Sequence, residues 1–157
     1  MPSNETAKTK SALNWRIIKL LIGVGAALLL VLYLAAGYAS GGSVRTLTVN
    51  REAYRLQVAS TPAAQEKGLG DRKSMDAHDG MLFPFPAQSV QCFWMKGMEF
   101  PLDIIWLSSD KKIVRMQQDL QPESYPNKYC AVSQYVIELS AGRVAADKLA
   151  IGQTLNF

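Results

Sequence analysis

Short runs of apolar residues, separated by polar turns, fill the chain from Val44 onward and predict β-strands. Between 47 and 58 the apolar residues recur at every second position on either side of Asn50–Glu52, a pattern typical of a hairpin with one buried face. The later runs are rich in aromatic and β-branched residues, which favour strands. They lie at 81–85, 92–95, 103–108, 113–116 and 135–139.

Two helices interrupt this pattern. Thr61-Pro62 offers an N-cap and a proline at the first helical position, good helix formers follow, and Gly68 can end the helix. A second helical turn is predicted within 141–149, whereas the polar stretches 70–80 and 117–131 are predicted as loops. The sequence therefore predicts a mostly β (α+β) domain over 44–157. We expect a small antiparallel, barrel-like sheet with one or two short helices.

The segment from Leu20 to Ala39 has a different character, because its twenty residues carry no charge. As a helix it would be about 30 Å long, the thickness of a bilayer's hydrocarbon core. This predicts a transmembrane helix, an uncleaved signal anchor or a signal peptide. Small residues at Gly37 and Ala39 would permit cleavage after Ala39, but the apolar run exceeds the usual length of a signal peptide and favours the anchor.

The basic residues predict the orientation of this segment. Lys8, Lys10, Arg16 and Lys19 precede it, and Arg45 is the first basic residue after it. Because basic loops stay in the cytoplasm, residues 1–19 are predicted to be a cytoplasmic tail. A short linker at 40–43 then leads to an extracytoplasmic domain at 44–157, single-pass in the cell membrane, or secreted if the segment is cleaved.

Charge argues against nucleic acid as a partner. The chain has 17 basic and 13 acidic residues, of which four basic and one acidic lie in the first forty, leaving 13 and 12 for the other 117 residues. A domain so close to neutral lacks the concentrated basic face that nucleic-acid binding needs. No phosphate-binding glycine loop or dinucleotide fingerprint is present, so no cofactor is predicted.

Cys92 and Cys130 are the two cysteines, and in an exported domain they can oxidise. We predict a disulfide between them that ties the 117–131 loop to the central strand. The alternative is two reduced thiols, with Cys92 buried in the sheet. No metal site is predicted, since His78 is the only histidine and the methionines near it fit core packing.

Several short motifs recur here in a fixed order and resemble a known family. They are Gly68-Leu69 with Arg72, Gly80–Phe83, Phe93–Lys96, Pro101–Ile105, and Tyr135–Leu139 with Ala141-Gly142. The series is similar to the bacterial and archaeal family called domain of unknown function 192, over roughly Leu47 to Phe157. The resemblance implies a compact β-rich fold, often exported, and implies no established activity.

Five polar or aromatic residues are candidates for chemistry, namely Arg72, Trp94, Lys96, Asp103 and Glu138. Asp103 opens an apolar strand, where it accepts backbone hydrogen bonds at a turn, pairs with Lys96 or Arg72, or acts as a general acid or base. Glu138 either faces solvent or forms a second carboxylate opposite Asp103, the pair that glycoside hydrolysis needs. Trp94 and Lys96 are expected on one sheet face, where they are either surface neighbours or hold a sugar ring or an anion.

The hypothesis that follows is a membrane-tethered binding or accessory module. Its predicted cleft, which would hold a small polar or glycan-like ligand or an envelope protein, is lined by Arg72, Trp94, Lys96, Asp103 and Glu138. The alternatives are a carbohydrate-acting hydrolase that uses Asp103 and Glu138, and a purely structural envelope protein. The sequence leaves open whether the protein is an enzyme.

Overall fold

The computed structural model describes residues 5–38 and 42–157 and divides the chain into two units, Met1–Gly41 and Gly42–Phe157. The first unit contains helix α1, Glu5–Tyr38. Across the residues that the structure describes, no helix is both long and apolar enough to cross a membrane. The predicted cleavage point after Ala39 and part of the predicted linker at 40–43 lie outside the described residues.

The second unit is a six-stranded sheet with few helices, so the mostly β (α+β) prediction is confirmed. Its strands run in the order β1-β2-β3-β6-β4-β5, and all neighbours are antiparallel except β2 and β3. The strands are β1 (Val44–Val49), β2 (Glu52–Val58), β3 (Asp79–Phe93), β4 (Leu102–Leu107), β5 (Ile113–Leu120) and β6 (Tyr129–Ser140). The helices are α2 (Pro62–Lys67) and α3 (Arg143–Ala146), with a 3-10 turn at Pro122–Ser124.

The prediction of a barrel-like, closed sheet is wrong, because β1 and β5 do not pair and the sheet stays open. The end of the chain lies between these two edges. It forms one isolated bridge on each side, Thr48 to Asn156 and Lys112 to Thr154. One bridge on each side is not a ladder, so the C-terminal segment spans the gap without closing the sheet.

The sheet buries apolar side chains on both faces. One cluster includes Leu56, Ile105, Ile137 and Leu139, and the other includes Phe83, Ile104, Trp106 and Val136. Because successive residues of a strand point to opposite faces, β4 and β6 supply alternate residues to the two clusters. Strand β4 is buried along its whole length.

Strand β3 is longer than the sequence pattern predicts, because the runs 81–85 and 92–95 belong largely to one strand. Its register against β6 shifts between Pro84 and Ser89. Proline cannot donate to the ladder, so a break in pairing at this point accommodates Pro84 and Pro86 without ending the strand.

The predicted loop 117–131 is also largely ordered structure. Strand β5 extends to Leu120, the 3-10 turn follows, and β6 already begins at Tyr129. The residues 89–93 of β3 pair with 129–133 of β6. Backbone pairing, rather than an apolar pattern, therefore organises this part of the chain.

Candidate functional site

A cleft of about 190 Å³ opens between α2 with the turn that follows it, the middle of β3 and the start of the segment after β3. Among the described residues, Glu138 is the one that β6 contributes to its lining. The walls are aromatic, and the side chains that form them are Phe83, Phe85, Phe93 and Trp94. The cleft thus joins an apolar wall to a single buried acid, the composition expected of a small-molecule site.

Local sequence determines where α2 begins and ends beside this cleft. The Thr61 side chain accepts a hydrogen bond from the Ala64 amide at 3.2 Å, and Pro62 occupies the first helical position. The helix ends at Gly68, whose φ of 52° favours glycine. Gln65 donates to the Pro84 carbonyl at 2.9 Å and so ties the helix to β3.

Glu138 lies on the face of the sheet that carries the cleft. Its strand partners are Met81 of β3 and Ile104 of β4, both of which are buried. The side chain is 5% exposed, and its Oε2 is buried without a hydrogen-bond partner among the described residues. A Cβ placed on Gly68 would lie 3.9 Å from this oxygen, so the end of α2 sits directly beside it.

The environment of Glu138 favours its neutral form. Burial raises the pKa of Glu138 from 4.5 to about 8, and the positive charge of Arg72 opposes that rise. The carboxyl is therefore mostly protonated at neutral pH. A protonated, unpartnered carboxyl in a cleft is typical of functional sites.

Asp103 lies elsewhere. It pairs with Leu139 across β4 and β6, whereas Glu138 pairs with Ile104, so the two carboxylates point to opposite faces of the sheet. Asp103 is fully buried and accepts hydrogen bonds from the amides of Asp119 at 2.8 Å and Val144 at 2.7 Å. The structure thus gives Asp103 backbone partners from the end of β5 and from α3 and does not bring it to the cleft.

The other three candidate residues are divided in the same way. Trp94 and Lys96 both line the cleft, although β3 ends at Phe93 and they belong to the segment after it. The centroid of the Trp94 ring also lies 4.9 Å from the ammonium nitrogen of Lys128. Arg72 does not line the cleft, and its guanidinium donates to Gln57 at 2.7 Å, but its charge acts on Glu138.

Several cleft residues were missed by the sequence reasoning. The sequence pattern places Gly68 only at the end of a helix, and Phe83, Phe85 and Phe93 only within strands. The alternation of Phe83 and Phe85 about Pro84 was an available signal, because it places both rings on one side of β3. Nothing in the sequence shows that α2 folds back over that side.

Cys92 lines the cleft as well and is joined to Cys130 in a disulfide, with an S–S distance of 2.11 Å. The two cysteines are direct partners on β3 and β6. The bond therefore links two adjacent strands rather than a loop to a strand. In the part of the chain that is described, no three His, Cys, Asp or Glu side chains come together as metal ligands would.

Comparison with known proteins adds two solved structures. A protein of unknown function from Novosphingobium aromaticivorans has a TM-score of 0.70 and 27% identity, covering 75% of this chain and 88% of that one. A "putative transcription regulator" from Sinorhizobium meliloti has a TM-score of 0.65 and 28% identity, covering 71% of this chain and 89% of that one. No protein with a curated description matches the sequence.

The family comparison covers the whole sheet. The profile of the family DUF192, described as "Uncharacterized ACR", matches residues 45–157. That span runs from β1 to the last residue and includes every element around the cleft. The chain therefore belongs to the domain of unknown function 192 family.

Proposed function

We propose that the domain is a binding module whose cleft holds a small polar or glycan-like ligand. The observation that carries this proposal is Glu138, a buried acid at the wall of an aromatic cleft, one of whose oxygens has no hydrogen-bond partner in the part of the chain that the structure describes. A buried polar group without a hydrogen bond is unfavourable, and a ligand that supplies the partner removes that penalty. Trp94 and Lys96 offer a ring and a cation beside it.

A hydrolase that uses Asp103 with Glu138 has less support. Glycoside hydrolysis needs two carboxyl groups about 5–10 Å apart that flank one bond. The two side chains project from opposite faces of the sheet, and Asp103 is occupied by two backbone amides. We therefore favour binding over catalysis.

The charge of this domain does not support a role in regulating transcription through contact with DNA. The name of the Sinorhizobium meliloti protein suggests such a role for that protein. In the present chain the 117 residues after the first forty are almost neutral, with 13 basic and 12 acidic side chains. DNA binding draws most of its affinity from basic groups on phosphates, which this balance does not favour.

The proposal includes a location outside the cytoplasm, with the domain tethered to the cell membrane by the segment Leu20–Ala39. This rests on the uncharged length of that segment and on the basic residues before it. An envelope glycan or an envelope protein would then be within reach of the cleft.

The experiment is a thermal-shift panel on the full-length chain in mild detergent, with sugars, peptidoglycan fragments and amino acids as probes. A ligand at 100 times its Kd adds about 2.7 kcal/mol to the free energy of unfolding, a shift of several degrees. The matched variants are Glu138→Gln and Asp103→Asn, which each remove one buried carboxylate from a different face.

We expect the ligand to raise the melting temperature of the wild type and of Asp103→Asn but not that of Glu138→Gln, each compared with the same protein without ligand. A shift that is lost in Asp103→Asn instead would move the site to the other face of the sheet. If no probe shifts the wild-type protein, the small-ligand proposal fails and a structural envelope role gains support.

A further inference from the structure

The chemistry of the cleft narrows the class of ligand, given the proposed function. At its inner wall lies one acid, Glu138, whose buried Oε2 has no hydrogen-bond partner within residues 5–38 and 42–157. Next to it are aromatic rings, including Phe83 and Phe85. On the outer side are two lysines, Lys67 and Lys96, both exposed to solvent.

The inner part of the cleft suits an ammonium group. A carboxylate oxygen that lacks a donor is satisfied by N–H groups, and a charged donor makes a stronger bond than a neutral one. Aromatic ring faces also attract cations. An ammonium group next to Glu138 would gain from both, whereas a neutral hydroxyl would gain mainly from the hydrogen bond.

The outer part of the cleft suits an anion. Lys67 and Lys96 place two positive charges on the rim, and Glu66 offsets only one of them. A ligand that is cationic at both ends would be repelled by these two lysines. A simple hydrophobic amine would gain nothing from them. A ligand carboxylate, in contrast, would be attracted by the positive charge of the rim.

We propose that the ligand is a small zwitterion of the amino-acid class. Its ammonium group binds Glu138, its side chain packs on the aromatic wall, and its carboxylate reaches Lys96. This proposal rests on the proposed function of the cleft and specifies the substrate class for it. A free amino acid and the N-terminal residue of a short peptide share this head group, and the test below separates them.

Binding of an ammonium group to ionised Glu138 must release the proton that the free carboxyl carries. The charged groups around Glu138 are Arg72, whose charge favours the ionised form, and Glu66, Lys67 and Lys96 of the cleft. Since Glu138 has a pKa of about 8 in the free protein, affinity should rise with pH below that value. The expected rise is about tenfold per pH unit between pH 5.5 and 7.

The test is titration calorimetry of the full-length chain in mild detergent with the standard L- and D-amino acids. For any that binds, the probes are its carboxamide, its N-acetyl form and a dipeptide that begins with it. We expect the amino acid to bind with proton release, the N-acetyl form to show no binding, and the carboxamide to bind at least tenfold more weakly. Binding of the dipeptide at equal affinity would assign the site to peptide N-termini.

Variants separate the contributions of the two ends. Glu138→Gln should abolish both binding and its pH dependence. Lys96→Gln should weaken binding of the amino acid without affecting binding of its carboxamide. Glu123→Gln, an exposed acid outside the cleft, is the control and should bind as the wild type does. Because Lys96 is exposed, its variant tests the proposal even if Glu138→Gln does not fold.

Three results would overturn the inference. Binding of the N-acetyl form as tightly as the amino acid would show that no ammonium group is recognised. Binding of sugars but of no amino acid, with loss in Glu138→Gln, would overturn the zwitterion and leave the proposed function in place. If neither sugars nor amino acids bind, both proposals fail together with the cleft as a small-ligand site.

Discussion

Glu138 loses its contact with water when β6 pairs with β3 and β4, because its partners Met81 and Ile104 are buried on the same face. Among the described residues, Arg72 is the one whose charge measurably favours the ionised carboxylate, and it also donates to Gln57. Desolvation is therefore the larger effect, and the residue is held in its neutral form at neutral pH.

This environment predicts a pH dependence of stability. A carboxyl with a pKa raised from 4.5 to about 8 binds its proton more tightly in the folded state, so stability falls as pH rises between these values. The slope is about 1.4 kcal/mol per pH unit in the free energy of unfolding. Denaturant titration from pH 5 to pH 8 measures it.

Glu138→Gln is the matched variant, because it keeps the shape of the side chain and cannot ionise. We expect its stability to lack this slope, so that it gains on the wild type as the pH rises. Parallel pH profiles for the two proteins would show that Glu138 titrates normally and would contradict the structure's account of the cleft.

Asp103 shows the opposite use of a buried carboxylate. It accepts the amides of Asp119 and Val144 and so holds the end of β5 and the start of α3 to β4. Replacement by alanine leaves two donors without their partner, the buried amide of Val144 and the partly buried amide of Asp119. We expect Asp103→Ala to lower the free energy of unfolding by about 3 kcal/mol, measured by urea denaturation.

Asp110→Ala is the control for Asp103→Ala, since Asp110 is exposed in the turn before β5. It should change stability by less than about 0.5 kcal/mol. Equal, small effects of the two substitutions would remove the structural role that we assign to Asp103.

At the scale of elements, the approach of β3 to its neighbours requires Gly80. A Cβ there would lie 2.6 Å from the Glu138 carbonyl oxygen and 2.8 Å from a Leu56 methyl group. The strands β2 and β6 on either side cannot both accommodate it. We expect Gly80→Ala to lower the midpoint of thermal unfolding by about 10 °C, a loss of about 2 kcal/mol.

Gly42→Ala is a suitable comparison for Gly80→Ala, because its added Cβ would meet a single atom, the Val58 carbonyl oxygen, at 3.3 Å. Gly42 is exposed at the start of the domain. Its variant should melt within about 2 °C of the wild type. If Gly80→Ala does the same, the spacing of β2, β3 and β6 is looser than the structure indicates.

The disulfide acts on the same pair of strands. Cys92 and Cys130 are 38 residues apart and join β3 to β6. Loss of a cross-link of this span should lower the free energy of unfolding by about 3 kcal/mol. The double variant Cys92→Ser/Cys130→Ser, compared with the wild type under oxidising conditions, measures the effect.

Mass spectrometry after alkylation tests the bond directly. We expect the unfolded wild-type protein to take up two alkyl groups only after treatment with a reductant. Complete alkylation without the reductant would show two free thiols. The stability difference between wild type and the double variant should then vanish.

At the scale of the whole molecule, the proposed membrane tether at Leu20–Ala39 predicts that the domain operates outside the cytoplasm. We expect a topology reporter that is active only outside the cytoplasm to be active when fused after Phe157. The same reporter fused after Lys19 should be inactive. The reverse result would place the domain in the cytoplasm and exclude envelope ligands.

The sequence predicts local structure well where a few neighbouring residues determine it. The hairpin of β1 and β2 follows from alternation over 47–58, and α2 follows from Thr61-Pro62 and Gly68. The mostly β composition also follows from the apolar runs. Prediction from the sequence fails where pairing with a distant strand decides the outcome. Examples are the length of β3, the pairing of 129–133 in β6 and the absence of pairing between β1 and β5.

The candidate site shows the same division. The sequence by itself determined that Glu138 and Asp103 are acids within apolar strands, that Trp94 and Lys96 are close in the chain, and that the fold belongs to one family. Only the tertiary structure decided that Asp103 accepts hydrogen bonds from the backbone and that Glu138 lines the cleft. The physical reason is the register of β4 against β6, which sends the two carboxylates to opposite faces of one sheet. Asp103 there accepts two backbone amides, whereas Oε2 of Glu138 meets no donor among the residues that the structure describes.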